Sequence, residues 1–80
     1  MKKCPWEKID GFQSLGEFNG FVAWINEQVA TGKAKELPVK SPYMDATTFE
    51  EKWFMYLESG QVWRLVWPDG PFTGLFEPVV

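Results

Sequence analysis

The chain has 80 residues, of which 45% are hydrophobic and 18% aromatic, with a formal net charge of -3, so it is too short for two domains and too apolar for a disordered segment. It has one cysteine and no histidine, which excludes an internal disulfide and removes the most common general base and metal ligand. We therefore expect one domain, 1–80, that is not an enzyme and that uses no metal and no cofactor.

The first predicted element is an amphipathic helix at 14–32, which follows a lead-in segment at 1–13. Ser14 and Glu17 have the spacing of a capping box, which marks the start of a helix. Gly32 marks its end, because glycine readily adopts the left-handed conformation that follows a last helical turn. Apolar residues between these two ends recur at helical spacing and predict the buried stripe: Leu15, Phe18, Phe21, Val22, Ile25 and Val29.

Three residues do not fit a simple amphipathic helix. Gly16 and Gly20 fall on one side, and each costs about 1 kcal/mol relative to alanine, so we expect another backbone to pack closely there. Trp24 points away from the stripe, and it is either a contact for the lead-in segment or an exposed anchor for a partner. The lead-in segment is expected to lay three apolar side chains on the body of the domain: Trp6, Ile9 and Phe12.

The second half of the chain predicts β-structure. Residues 36–40 predict a short edge strand, because Pro38 cannot donate to a sheet ladder. Residues 49–67 contain two strand-rich runs joined by a turn with Gly60, which predicts a hairpin, and 72–80 predict a C-terminal strand and tail. The predicted fold class is α+β, with one amphipathic helix packed on an antiparallel sheet of three or four strands that has a central hairpin.

The length of the hairpin loop decides which side chains share a face of the sheet. A three-residue loop with a bulge at Gly60 gives an inner face, against the helix, that consists of Trp53, Met55, Leu57, Trp63, Leu65 and Trp67. A two-residue loop instead gathers Phe54, Tyr56, Trp63, Leu65 and Trp67, and it leaves Arg64 among Trp53, Met55 and Val66. We favour the three-residue loop because its inner face carries no charge.

The outer face of that hairpin is the first candidate binding surface. With a three-residue loop, Phe54, Tyr56 and Val66 surround Arg64, and tyrosine and arginine are frequent anchors at protein interfaces. Arg64 can also lie over an aromatic ring there. The alternative is that the lead-in or the C-terminal segment covers this face and makes it part of the core.

Charge is unevenly distributed along the chain. Residues 1–40 hold six basic and five acidic residues, whereas 41–80 hold two basic and six acidic ones, a balance of -4. An acidic surface suits a basic partner or serves solubility, and it opposes binding to a nucleic acid backbone. No apolar run approaches the ~20 residues of a membrane span, so we expect a cytoplasmic protein without a membrane partner. The acidic candidates for partner binding are Glu50, Glu51, Glu58, Asp69 and Glu77.

One segment resembles a known family. Residues 52–68 contain the run Trp63-Arg64-Leu65-Val66-Trp67-Pro68, and Pro71-Phe72-Thr73-Gly74 follows. This segment is similar to the C-terminal signature of small bacterial immunity proteins, which protect a cell against its own secreted polymorphic toxins. In that family a tryptophan-bearing strand, a glycine turn and a W-x-L-x-aromatic-P strand recur near the C-terminus.

The resemblance implies a stoichiometric toxin inhibitor. Its partner would be a cognate toxin protein with a basic cleft, and the chain would be a monomer or a weak homodimer. Charge reasoning adds that the acidic candidates would pair with that cleft, while Tyr56, Arg64 or Trp24 would fill pockets. Two alternatives remain: a structural or adaptor module that self-associates or binds a cellular protein through its aromatic sheet face, and an acidic mimic of nucleic acid.

Overall fold

The computed structural model describes residues 6–43 and 49–79. In these residues one helix packs on a four-stranded antiparallel sheet, and each strand pairs with the next one along the chain. The elements are α1 (Leu15–Ala30), β1 (Ala34–Leu37), β2 (Glu51–Tyr56), β3 (Gln61–Val66) and β4 (Leu75–Pro78). The predicted α+β fold class is confirmed. The predicted lead-in and tail extend to residues 1–5 and 80, which lie outside the described part.

The ends of α1 follow from its capping residues. Ser14 Oγ accepts a hydrogen bond from the Glu17 amide at 3.0 Å, as a capping box requires. The Glu17 carboxylate reaches back to the amide of Gln13, at 3.5 Å, rather than to that of Ser14. Gly32 has a φ of 79° beyond the last turn, which confirms it as the residue where the chain leaves the helix.

The edge strand begins earlier than predicted. Strand β1 is Ala34–Leu37, whereas the sequence predicted 36–40. Ala34 is buried and pairs with Tyr56 soon after the helix ends, so pairing starts before the predicted strand does. Pro38 then follows the strand instead of lying within it, because proline has no amide hydrogen for the ladder.

The predicted register of the hairpin is wrong. The loop spans residues 57–60, with Tyr56 opposite Gln61 and Trp53 opposite Arg64. The Gly60 amide donates to the Tyr56 carbonyl at 2.8 Å, and Gly60 has a φ of 74°. A loop of four residues is two residues longer than a loop of two, and a shift by an even number leaves every side chain on the same face. The observed faces are therefore those of the two-residue loop, which we did not favour. The face toward α1 therefore carries Phe54, Tyr56, Trp63 and Leu65.

The core lies between α1 and this face. Phe18 and Ile25 of α1 are at most 2% exposed, and so are three residues of the sheet that belong to this core: Phe54, Leu65 and Phe76. Val66, on the outer face, is buried as well. Fully burying each such side chain contributes about 1.5–3 kcal/mol. The lead-in segment joins this core as predicted, with Trp6 and Phe12 buried and the Ile9 amide donating to the Phe76 carbonyl at 2.8 Å.

Close packing occurs at different glycines from those predicted. An added Cβ at Gly20 would meet nothing within 4 Å, and one at Gly16 would meet only Ser14 Oγ at 3.8 Å, so the expected backbone approach on that side of α1 is wrong. An added Cβ at Gly11 would meet the side chain of Thr73, and one at Gly74, where φ is 77°, would lie 2.9 Å from the Val66 carbonyl oxygen. Gly74 combines a positive φ with a close backbone neighbour, so the fold requires glycine there.

Candidate functional site

The face of the sheet that points away from α1 carries four charged side chains from the strands: Lys35, Glu51, Arg64 and Glu77. We call the last three the Arg64 cluster. Each comes from a different strand, and Arg64 lies directly opposite Glu77 in the ladder. Arg64 Nε is 3.8 Å from Glu51 Oε2 and 3.9 Å from Glu77 Oε2. The Glu51 and Arg64 side chains are only 5% and 15% exposed, so solvent screens this pair less than it would a surface pair.

Two aromatic rings flank the guanidinium group of Arg64. Its Cζ lies 5.6 Å from the ring centroid of Tyr43 and 5.8 Å from that of Trp53, within the range of a cation–π interaction. The prediction that Arg64 lies over an aromatic ring is therefore confirmed. The rings are those of Tyr43 and Trp53, whereas the favoured register had placed Phe54 and Tyr56 there.

Glu51 is the most constrained member of the cluster. Its Oε2 accepts a hydrogen bond from Trp53 Nε1 at 2.7 Å, and its Oε1 accepts one from the Tyr43 amide at 2.7 Å. Both oxygens are thus fixed by neutral donors, while Arg64 supplies the opposing charge. Within the described residues, the buried Nε of Arg64 has no hydrogen-bond acceptor. The guanidinium group of Arg64 is therefore held by the two carboxylates and by the two ring faces.

An apolar groove of about 330 Å³, which we call the outer groove, adjoins the cluster on the same side of the sheet. Trp53 contributes to both, because its ring flanks Arg64 and also lines the groove. The other lining residues are Leu37, Pro38, Lys40, Val62 and Val79. The arrangement places a fixed charged group beside a cavity with apolar walls.

Phe54 and Tyr56 do not belong to this surface. They are 1% and 8% exposed and pack in the core beneath α1, so the prediction that they are exposed anchors is wrong. The cause is the register, because shifting one strand by a single residue turns all of its side chains to the opposite face. Tyr56 also donates from its hydroxyl to Glu58 Oε2 at 3.3 Å, at the loop end of the hairpin.

Trp24 contacts the lead-in segment, which confirms one of the two alternatives, while its role as an anchor for a partner stays a prediction. Its ring packs edge-to-face on Trp6 of the lead-in segment, with centroids 5.8 Å apart, and 37% of the residue remains exposed. It lies on the helix side of the sheet and not in the Arg64 cluster. Trp24 is therefore a contact for the lead-in segment that remains partly exposed.

The remaining acidic candidates are exposed but dispersed. Glu50 and Asp69 lie near the open end of the hairpin, where the Trp67 amide donates to the Glu50 carbonyl at 2.9 Å. Glu58 lies in the loop at the opposite end. The structure thus brings together two of the five predicted acidic residues, Glu51 and Glu77.

Sequence reasoning missed two residues of the site, Trp53 and Tyr43. Trp53 lies two positions after Glu51 on a strand, which places both on one face. This spacing could have indicated that the indole donates to the carboxylate. Tyr43 carries no such signal, since it follows β1 in a segment without periodicity. Its place beside Arg64 results from the path of the chain between β1 and β2.

The chain matches no protein-family model, and no curated protein or solved structure is significantly similar to it. Across residues 6–43 and 49–79, no group of three or more histidine, cysteine, aspartate or glutamate side chains could hold a metal ion. The helix in this part of the chain is too short and too polar to cross a membrane.

Proposed function

We propose that this chain is a non-enzymatic immunity protein that binds and neutralises a cognate bacterial toxin domain in the cytoplasm. The observation that carries the proposal is the outer face of the sheet, where the Arg64 cluster adjoins the outer groove. The family assignment is supported by the resemblance of residues 52–74 to the immunity-protein signature. The binding mode is supported by the physical character of the outer face.

A sheet face that only closes a core has no need of charged side chains, and here three of them are between 5% and 27% exposed. Here Arg64 is held between two carboxylates and two rings, and the groove beside it has apolar walls. Tryptophan, tyrosine and arginine are the residues most enriched where binding energy concentrates at protein interfaces. A partner can reach Glu77 and Arg64, whose side chains are 27% and 15% exposed. Because ring faces flank Arg64, its side chain would lose little conformational entropy when a partner binds it.

The charge of the second half suits a basic partner. Residues 41–80 carry a balance of -4, and exposed carboxylates at Glu50, Glu58 and Asp69 lie around the sheet. Such charges accelerate association with a positively charged surface, while the buried contacts set the lifetime of the complex. The toxin surface that binds would accordingly present lysine or arginine side chains.

The proposal is tested by expressing the chain together with the toxin domain encoded immediately upstream of it. We expect the wild-type chain to restore growth and to co-purify with the toxin. Val62→Arg, which places a charge in the outer groove, should abolish both effects. Gln61→Arg is the matched control, because it adds the same side chain at the next residue of β3, on the other face of the sheet.

Failure of both rescue and co-purification with a correctly folded chain would contradict the proposal. Measuring the size of the purified chain across a dilution series distinguishes the immunity proposal from the adaptor alternative. A dimer that dissociates on dilution, and that Val62→Arg disrupts but Gln61→Arg does not, would assign the outer groove to self-association instead.

A further inference from the structure

The guanidinium group of Arg64 has more hydrogen-bond donors than the described part of the chain satisfies. It carries five N–H donors, and within residues 6–43 and 49–79 none of them makes a hydrogen bond. The nearest carboxylate oxygens are 3.8 Å and 3.9 Å from Nε. Nε itself is buried, so the terminal NH2 groups are the part of this side chain that a partner can reach.

The outer groove and the Arg64 cluster are balanced in charge. Lys40 lines the groove and Arg64 borders it, which gives two positive charges. Glu51 and Glu77 supply two negative charges. Their sum is zero, so charge selects neither a cation nor an anion as the occupant. The unused donors of Arg64 select a group with a free acceptor, because a donor left without a partner in a desolvated site is costly.

Strand β3 sets the spacing between these donors and the groove. Val62 lines the groove, and Arg64 lies two positions later on the same face of the strand. Positions two apart on a strand are separated by about 7 Å. In an extended segment, a side chain and the backbone carbonyl of a neighbouring residue lie at a comparable distance. A segment with one side chain in the groove can therefore place a carbonyl oxygen at Arg64.

We propose that the outer groove binds an apolar side chain of the partner while the terminal NH2 groups of Arg64 donate to a backbone carbonyl of the same segment. A carbonyl oxygen accepts two hydrogen bonds and carries no net charge, so it satisfies the donors and keeps the charges balanced. A carboxylate would instead add a third negative charge beside Glu51 and Glu77. The inference rests on the proposed function for the identity of the partner, and it names the group that the outer face recognises.

The test uses the purified full chain and small probes, so it does not depend on the toxin. N-acetyl-leucine methylamide offers an apolar side chain and neutral carbonyls, and it is titrated while the NMR signals of Trp53 Nε1–H and Arg64 Nε–H are followed. N-acetyl-leucine replaces one carbonyl by a carboxylate, and N-acetyl-alanine methylamide shortens the side chain. We expect the leucine amide to shift both signals and to bind about three- to tenfold more tightly than either of the other probes.

Two variants and a matched control locate the bound group. Val62→Arg places a charge in the groove and should abolish binding, whereas Gln61→Arg, on the other face of β3, should leave the affinity unchanged. Arg64→Lys keeps the charge and loses the planar fork of donors, so we expect about three- to tenfold weaker binding of the leucine amide. The preference for leucine over alanine should persist in Arg64→Lys, because the groove keeps its apolar walls.

Tighter binding of the carboxylate probe than of the leucine amide would overturn the inference, as would binding that Arg64→Lys does not weaken or a folded chain that binds none of the probes. Should Arg64→Lys fail to fold, the comparison of the amide with the carboxylate on the wild-type chain decides the same question. A negative result with the probes leaves the growth-rescue result standing, and a failed rescue leaves the probe result standing, so the two proposals fail separately.

Discussion

Glu51 is the residue on which the outer face depends most. Its carboxylate accepts hydrogen bonds from the Tyr43 amide and from Trp53 Nε1, and it also compensates the charge of Arg64. Glu77, the other carboxylate of the Arg64 cluster, is 27% exposed and approaches Arg64 Nε only to 3.9 Å. The Glu51 carboxylate should therefore contribute more to the stability of the fold than the Glu77 carboxylate.

We predict that Glu51→Gln lowers the free energy of unfolding by about 2 kcal/mol. An amide offers one acceptor oxygen, so one of the two donors would face an NH2 group. Glu77→Gln should cost less than about 1 kcal/mol, because water still reaches its carboxylate. Urea denaturation of the two variants checks this order, and equal losses would contradict the unequal roles.

Gly74 and Gly20 differ in the space around them. We predict that Gly74→Ala destabilises the fold by about 1–3 kcal/mol, because its φ is 77° and the added Cβ would lie 2.9 Å from the Val66 carbonyl oxygen. Gly20→Ala should stabilise it by about 0.5–1 kcal/mol, since the site is helical and open. Thermal unfolding measures both, and destabilisation by Gly20→Ala would show that a close neighbour had been missed.

At the scale of elements, the β2–β3 hairpin shows what the sequence could and could not predict. The helix was predictable, because Ser14 and Gly32 mark its ends and the apolar stripe runs between them. The faces of β3 were also predicted correctly, with Trp63 inward and Arg64 outward. The predicted faces of β2 were the reverse of the observed ones. Ser59 and Gly60 are compatible with loops of several lengths, and a change of one residue in loop length moves every side chain of the strand to the opposite face.

The observed register makes a sharp prediction for neighbouring residues of β2. Phe54→Ala should cost about 3–5 kcal/mol, because Phe54 is 1% exposed beneath α1, and the variant should be largely unfolded. Met55→Ala should cost about 1 kcal/mol, since Met55 is half-buried on the outer face. Circular dichroism melts compare the two, and the reverse order would restore the register that the sequence had favoured.

The candidate site was less predictable than the fold, for a related reason. Arg64, Glu51 and Glu77 were all candidates from charge, yet their meeting depends on strand pairing that brings distant positions together. Tyr43 contacts Arg64 from the segment after β1, whose sequence has no hydrophobic periodicity. Long-range placement of this kind is decided by the whole packing arrangement and not by local spacing.

The two sides of the sheet differ in what covers them. The outer groove and the Arg64 cluster lie on one side, while α1 and the lead-in segment pack on the other. Val62→Arg therefore changes the outer side without altering the core beneath α1.

If the proposed function holds, association with a basic toxin should depend on salt. We predict that the association rate constant falls about tenfold when the ionic strength rises from about 0.05 M to about 0.5 M, because the -4 balance of residues 41–80 steers the encounter. The dissociation rate constant should change little, since buried contacts set it. Stopped-flow tryptophan fluorescence measures both, and an association rate independent of salt would contradict electrostatic steering.

We propose that this chain acts by occupying another protein through the outer face of its sheet. The decisive experiment titrates the purified chain into its cognate toxin domain while the toxin's activity is measured. We expect a linear loss of activity that ends at one chain per toxin, abolished by Val62→Arg and retained by Gln61→Arg. Full toxin activity at a large excess of folded chain, or equal inhibition by both variants, would contradict it.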